Sequence, residues 1–531
     1  MLSHARSITT RLRPSIFLLL LLAIIALGYR PPFAQLVPPL AAPPLAAPEV
    51  VHAAANGQTV FVPAGGDLQA AIDEAHGGDV IALEAGATFM GNFTLPQKSG
   101  ADWVVIRSAA RESLPPAGVR IAPTDANRLP KIVTPNAAPA IATQPGAHHF
   151  HFIDVEIAAA PNGSARVEAL ARLESAGGAE NDTPADIIFD RCYIHGAPAR
   201  DVRTGILLAS ARTAVLDSYL ADFQDASAGS QAIAITGPGP FKIVNNYLSA
   251  AAENVVLGAS DASAASPADV EIRGNYFHKP ISWKTGARAR QAKDLLALNS
   301  GQRVLIENNV FENSWSTDER GFAVVLAASG HSSSVIQDVT FRKNVVRRSA
   351  AGIGITGQTA DFPKRLTQRV LIQDNLFEEI GGAEWGGSGV LFQIVGGTMD
   401  VVIDHNTGLQ KGKALVTDGA TQAGFVYQNN IALDHQTADA LGYGEAWSVR
   451  FPGDVFARNV LTGGAASGYP NENFFPGSAA DVGFVDAASG NYRLSAASPY
   501  TNAATDGANI GADYEAIQSA AADAVTGGRN S

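Results

Sequence analysis

The chain has 531 residues, more than one compact core usually holds, and it is 46% hydrophobic but only 17% charged. With 52 Gly and 29 Pro, that composition favours many short strands and turns over long charged helices. A net charge of −12 argues against duplex nucleic acid as a partner, and a single cysteine, Cys192, excludes an intrachain disulfide or a thiolate cluster.

Arg6, Arg11 and Arg13 precede an apolar run from Ile16 to Leu27, with Ala26 and Gly28 as small residues at its end. This is the order of a signal peptide, or of a single-span anchor if it is retained. Residues 1–30 are therefore expected to direct export, leaving the bulk of the chain secreted, periplasmic or on the cell surface. Any membrane association would run through that segment alone. Residues 31–57 are rich in Pro and Ala and read as an extended linker. Next, Asp67–Ala75 reads as an N-capped amphipathic helix with Leu68, Ala71, Ile72 and Ala75 on one face, suited to cap the end of a solenoid.

Self-similarity dominates the middle of the chain. The segments DVEIRGNYF, RVLIENNVF, DVTFRKNVV, RVLIQDNLF and DVVIDHNTG align on Asn275, Asn309, Asn344, Asn375 and Asn406. Asn246 extends the series backward, and Asn430 and Asn459 extend it forward, at spacings of 29, 34, 35, 31, 31, 24 and 29. Earlier coils keep the frame with Cys192 and Ser218 in that place. Apolar residues recur five and three positions before the Asn, then resume two positions after it. One strand therefore ends at the Asn, the chain turns, and a second strand begins. An amide suits such a corner because Asn tolerates a left-handed backbone and can bond to its counterpart one coil away. A third strand is expected at Ile206–Ala209, Ile233–Thr236, Val255–Leu257, Leu295–Leu298, Val324–Ala327, Ile353–Thr356 and Leu391–Val395. The period and the β-branched core predict an all-β, right-handed parallel β-helix solenoid over residues 58–515 with an N-terminal helical cap. Residues 516–531 read as a disordered, Ala-rich tail. A monomer is expected.

The opening LQAAIDEAHGGDVIALEAG, the repeated I-x-x-N-x-F coils and the ending GFVD…GNYRLSAASPY…GADY resemble the pectate-lyase-like right-handed β-helix superfamily. Residues 231–385 look like a subgroup of exported bacterial β-helix proteins. The resemblance implies work on polysaccharide, as a lyase, a hydrolase or a non-catalytic binder. The motif set shared by polygalacturonases is absent. Val402-Ile403-Asp404-His405 is close to the WIDH segment of pectate lyases but lacks its Trp. Ala252–Gly258 faintly echoes a segment of the chondroitinase B and alginate lyase type, whose chemistry implies a Lys base, an Arg acid and Ca²⁺. Asn299-Ser300 echoes a second motif of that type without its Lys.

Ligand-contacting residues are expected in the turns after the corner strands. Trp283, Trp315 and Trp385 occupy equivalent turns and could stack on pyranose rings. Residues 278–293 carry Lys279, Lys284, Arg288, Arg290 and Lys293 without a carboxylate, a basic loop suited to an anionic polysaccharide. Glu253, Asp318, Glu319 and Glu384 are the candidate catalytic carboxylates, with Ca²⁺ the only cofactor implied. The reading is an exported protein that binds an acidic polysaccharide and cleaves it if it is an enzyme, against a non-catalytic surface solenoid.

Overall fold

The computed structural model describes residues 41–48 and 56–529, apart from 164, 176–181, 198, 259–265, 286–291, 317–320, 330–333, 359–366, 419, 434–448, 465, 467–468 and 471. The leader assigned to residues 1–30 lies outside the described residues. Three long sheets run through the compact unit that begins at Pro39, every strand parallel to its neighbours. Among the described residues, sheet A has 14 strands, from Thr59–Val62 to Val455–Ala457; sheet B has 13, from Thr88–Met90 to Val460–Leu461; sheet C has 11, from Phe93–Leu95 to Leu415–Thr417. The chain visits A, B and C in turn and pairs each strand with the one from the previous coil. Parallel crossovers of L-residues wind right-handed, so the molecule is a right-handed parallel β-helix.

The core is a stack of repeated side chains. Phe241, Val270, Val304, Val339, Val370, Val401 and Phe425 form one buried file, and Leu248, Phe277, Phe311, Val346 and Phe377 form another. Phe277 and Phe311 stack with ring centres 4.4 Å apart. Each layer therefore buries the face of the next, which no single coil could do alone.

The corner works as the repeat requires. Asn246, Asn275, Asn309, Asn344, Asn375, Asn406, Asn430 and Asn459 are all buried. Each Nδ2 donates to the Oδ1 of the next Asn, as from Asn275 to Asn309 at 3.0 Å. Each Oδ1 also accepts the previous Asn's backbone N–H, as Asn309 does from Asn275 at 2.9 Å. Asn473 adds a ninth rung after only 14 residues, accepting from Asn459. One expectation is corrected. The left-handed residue is the one before the ladder position, among them Asn245, Asn308, Lys343, Asp374, His405 and Arg458, with φ between 52° and 57°. The ladder Asn itself is not left-handed, and its buried amide points inward as the next strand begins.

The helix α1, Leu68–Glu74, caps the first coil. Asp67 accepts from the Ala70 N–H, and Leu68 and Ile72 are buried. Lys98 Nζ donates to the carbonyls of Ile72, Asp73 and Ala75, satisfying the helix end.

The tail expected to be disordered is instead a helix, α2, Tyr514–Thr526. Ile517, Ala521 and Ala524 pack on Val310, Val345 and Leu376 of sheet B. Arg120 Nη2 donates to the Ala524 carbonyl at 2.7 Å. Outward apolar residues on sheet B need a cover, and a short Ala-rich helix can approach them closely. Ile517→Ala is expected to cost about 2–4 kcal/mol, the usual loss for a buried Ile, read as a lower urea midpoint. An unchanged midpoint would show that α2 is not part of the cooperative fold.

Candidate functional site

The outer face of sheet C presents two columns of outward side chains. Register sets the first as Ala169, Thr204, Gln231 and Glu253, and the second as Arg172, Leu207, Ala234, Val256, Ala297, Val325, Gly354, Gln393 and Val416. In the strands Gln231–Ile235 and Glu253–Leu257 two consecutive residues turn into the core, Ala232-Ile233 and Asn254-Val255, so Gln231, Glu253, Ala234 and Val256 all point outward and line one cleft, although Gln231, Ala234 and Val256 are largely buried there. Ala234, Val256 and Ala297 close up into an apolar strip beside Leu207.

Charge gathers at the N-terminal end of this face, in a cleft of about 420 Å³. Glu168, Arg172, Glu174, Arg203, Gln231, Glu253, Lys293 and Asn299 line it. Arg203 bonds to Glu168 through Nη1 and donates from Nε to the Gly229 carbonyl at 3.2 Å. Arg172 pairs with Glu174 at 2.7 Å. Glu253 accepts from Gln231 Nε2 at 2.9 Å and lies 3.4 Å from Lys293 Nζ. The cleft is thus an alternating set of cations and carboxylates.

Behind Glu253 lies Lys279, fully buried. Its Nζ donates to the Asp294 carbonyl at 3.0 Å and approaches Asn254 Oδ1 at 3.5 Å. Burial pulls its ammonium down to about 7, opposed by Asp294 and Glu253. At the far end of sheet C, Gln393, Lys411 and Lys413 line a second opening with Val390 and Val416.

Of the expected site residues, Glu253 sits in the cleft. The Trp residues do not form an open platform. Trp283 and Trp315 pack together on Ala251 and Ala292, at 3% and 2% exposure. Trp385 is 5% exposed, with Lys284 Nζ 5.1 Å from its ring centre. Lys284 Nζ also donates to the Glu384 carbonyl. Glu384 is exposed, on the Trp385 turn and outside the cleft lining. Arg288, Arg290, Asp318 and Glu319 lie outside the described residues. Among the described residues, no three His, Cys, Asp or Glu side chains come together as a metal site needs. The cleft's carboxylates are each engaged by a cation. His405, in the segment close to WIDH, occupies a left-handed corner and bonds to Asp404 at 2.8 Å. Burial alone would lower its pKa, but Asp404, Asp506 and Asp374 hold it above the usual value.

Sequence reading missed Arg172, Arg203 and Gln231. Arg203 and Gln231 stand at the start of their third strands and Arg172 near the end of its own, and the variable loops ahead of those strands hide their register.

No family model matches the chain, and no curated protein matches it. Among solved structures, the chain is similar to an alginate lyase from Paenibacillus sp. str. FPU-7. That match is 12% identical, covers 79% of this chain and 96% of the lyase, and has a TM-score of 0.28. The catalytic unit of a thermostable GH87 alpha-1,3-glucanase from Streptomyces thermodiastaticus strain HF3-3 is 11% identical over 78% of this chain and 65% of its own, with a TM-score of 0.47. A tailspike protein of E. coli bacteriophage HK620 is 12% identical over 77% and 73%, with a TM-score of 0.40. By its own three parallel sheets and its internal file of asparagines, this chain is a right-handed parallel β-helix protein.

Proposed function

We propose that the chain is an exported protein that binds an acidic polysaccharide along the outer face of sheet C. The observation that carries this reading is the charged cleft continuous with an apolar strip. Arg172, Arg203 and Lys293 offer charge-assisted donors to carboxylates of a sugar chain. Thr204, Gln231 and Asn299 offer hydrogen bonds to hydroxyls, and Leu207, Ala234, Val256 and Ala297 offer a flat surface to the C–H faces of pyranose rings. Strands about 5 Å apart give a track along which successive sugars meet successive coils. The internal pairing of the cleft's charges favours binding as the base activity. Cleavage, where present, is elimination or hydrolysis.

Titrating the mature protein with a panel of uronate and neutral oligosaccharides tests the proposal. Arg203→Ala and Lys293→Ala are each expected to weaken anionic oligosaccharides about tenfold, the size of one charge-assisted hydrogen bond, and to leave neutral ones unchanged. Trp283→Phe, in the buried cluster, should leave both unchanged. Absence of binding to every member would sink the reading. The same mixtures, with calcium and with chelator, show cleavage as new reducing ends, and elimination as a gain in ultraviolet absorbance.

A further inference from the structure

A second left-handed column runs through sheet A, six residues ahead of the asparagine ladder. His149, Asp186, Arg212, Asp269, Arg303, Asp338, Arg369 and Asp400 all have φ between 45° and 60°. The register makes them neighbours in successive coils, with Pro240 alone standing between Arg212 and Asp269. From Asp269 onward the charges alternate strictly. Arg303 forks onto Asp269 at 2.7 and 2.9 Å, and Arg369 onto Asp338 at 2.7 and 2.8 Å. The carboxylates therefore recur every second coil, held rigidly by the arginines.

The proline-rich segment 41–48 lies on this column. The Ala42 N–H donates to Asp338 Oδ1 at 3.1 Å, and the Leu45 N–H donates to Asp269 Oδ1 at 2.8 Å. Leu45 turns its side chain outward, 76% exposed. Two dimensions match here. Two coils span about 9.6 Å at the spacing of strands. Three residues of polyproline II span about 9.3 Å and return the amide to the same side, and its amides have no internal partners. Pro43 and Pro44, between the two donors, have no N–H to satisfy.

We propose that the Asp/Arg column of sheet A is a docking track for extended proline-rich chain, and that residues 41–48 of this chain are its occupant. The segment read from sequence as a spacer is then a strap, held by backbone amides at a three-residue period against carboxylates at a two-coil period. Recognition needs no particular side chain at the donor positions, only an N–H at every third residue and a chain stiff enough to stay extended. This surface is sheet A, separate from the cleft on sheet C, so its failure would leave the binding proposal standing.

Hydrogen exchange on the full chain tests it. The Ala42 and Leu45 amides are expected to exchange at least tenfold more slowly than in a free peptide of residues 41–48. Asp338→Gly keeps the left-handed backbone but removes the acceptor, and should release Ala42; Asp269→Gly should release Leu45. If both amides exchange at the free-peptide rate in the parent chain, the proposal fails. A second measurement leaves the solenoid untouched. A nitroxide on Ala46→Cys should be immobilised in the parent background and mobile when Ala42→Pro and Leu45→Pro remove the two donors. Cys192 is buried and takes no label. A mobile label in both backgrounds overturns the proposal.

Discussion

Asn309→Ala is expected to lower the stability of the solenoid by about 3–4 kcal/mol. Asn309 Oδ1 accepts both the N–H and the Nδ2 of Asn275, and its own Nδ2 donates to the Ile272 carbonyl at 2.9 Å and to Asn344 Oδ1 at 3.0 Å. Alanine leaves the Asn275 N–H buried without an acceptor, which costs about 1–3 kcal/mol, and the remaining lost bonds and the void add to it. Asn309→Asp keeps the shape but aims a carboxylate at the Ile272 carbonyl and at Asn344 Oδ1. It is expected to destabilise more than alanine at neutral pH, because a buried carboxylate facing acceptors has no compensating donor on that side. Its folded-state pKa is then raised above the unfolded value. Stability is highest below the unfolded pKa and falls as pH rises from there through the folded one. Urea midpoints from pH 4 to pH 8 read both effects. A damaged solenoid loses protection first in the coils that flank the damage, so exchange should quicken around Asn275 and Asn344 before it does near α1. Equal midpoints for the parent and both variants would mean the ladder is decoration.

How much of this was legible in the sequence depends on what each feature needs. The ladder needs only one inward amide per coil at a fixed place, and eight of its nine Asn rungs stand out by alignment. Asn473 does not, because it follows Asn459 by a bare loop without the apolar strand that frames the others. The strap track was in plain view as the D/R alternation opening DVEI, RVLI, DVTF, RVLI and DVVI. Its meaning requires knowing that those residues are left-handed and stack, which periodicity of apolar residues cannot report. Trp283, Trp315 and Trp385 each follow a strand of sheet B, yet equivalence of position says nothing about exposure; an indole packed between coils is covered as readily as it is offered. The position after the ladder carries Tyr193, Tyr219, Tyr247 and Tyr276, then Val310, Val345 and Leu376. That change from tyrosine to aliphatic on an outward face signals a cover. It is the sign by which α2 could have been found in a tail whose alanines suggest nothing.

Lys279→Met is expected to stabilise the protein below neutral pH and to destabilise it slightly above pH 10. In the unfolded chain this amine has a pKa near 10.5, and in the folded one burial brings it to about 7. Below the lower value both states carry the proton, and the folded state bears the whole cost of a buried charge, several kcal/mol for a shift of that size. Between the two values the unfolded chain binds more protons, so stability rises with pH; above the upper value both are neutral and the cost is gone. Methionine fills much the same volume without a charge, so the variant lacks this slope. At high pH it lacks only the hydrogen bond to the Asp294 carbonyl, about 1 kcal/mol. The two curves should therefore cross. Taking the difference between parent and variant cancels every other titrating group, including Asp294 and Glu253 when each behaves alike in the two proteins. Parallel curves from pH 6 to pH 10 would show that the ammonium is better solvated than its burial implies. Crossing curves would establish a lysine poised near neutrality one residue from the cleft, behind the carboxylate that Lys293 and Gln231 hold in place. Exchanging a proton there then couples the charge behind the cleft to the charges lining it. On that argument, binding of the anionic oligosaccharides should tighten as pH falls through 7 in the parent protein, and lose that dependence in Lys279→Met.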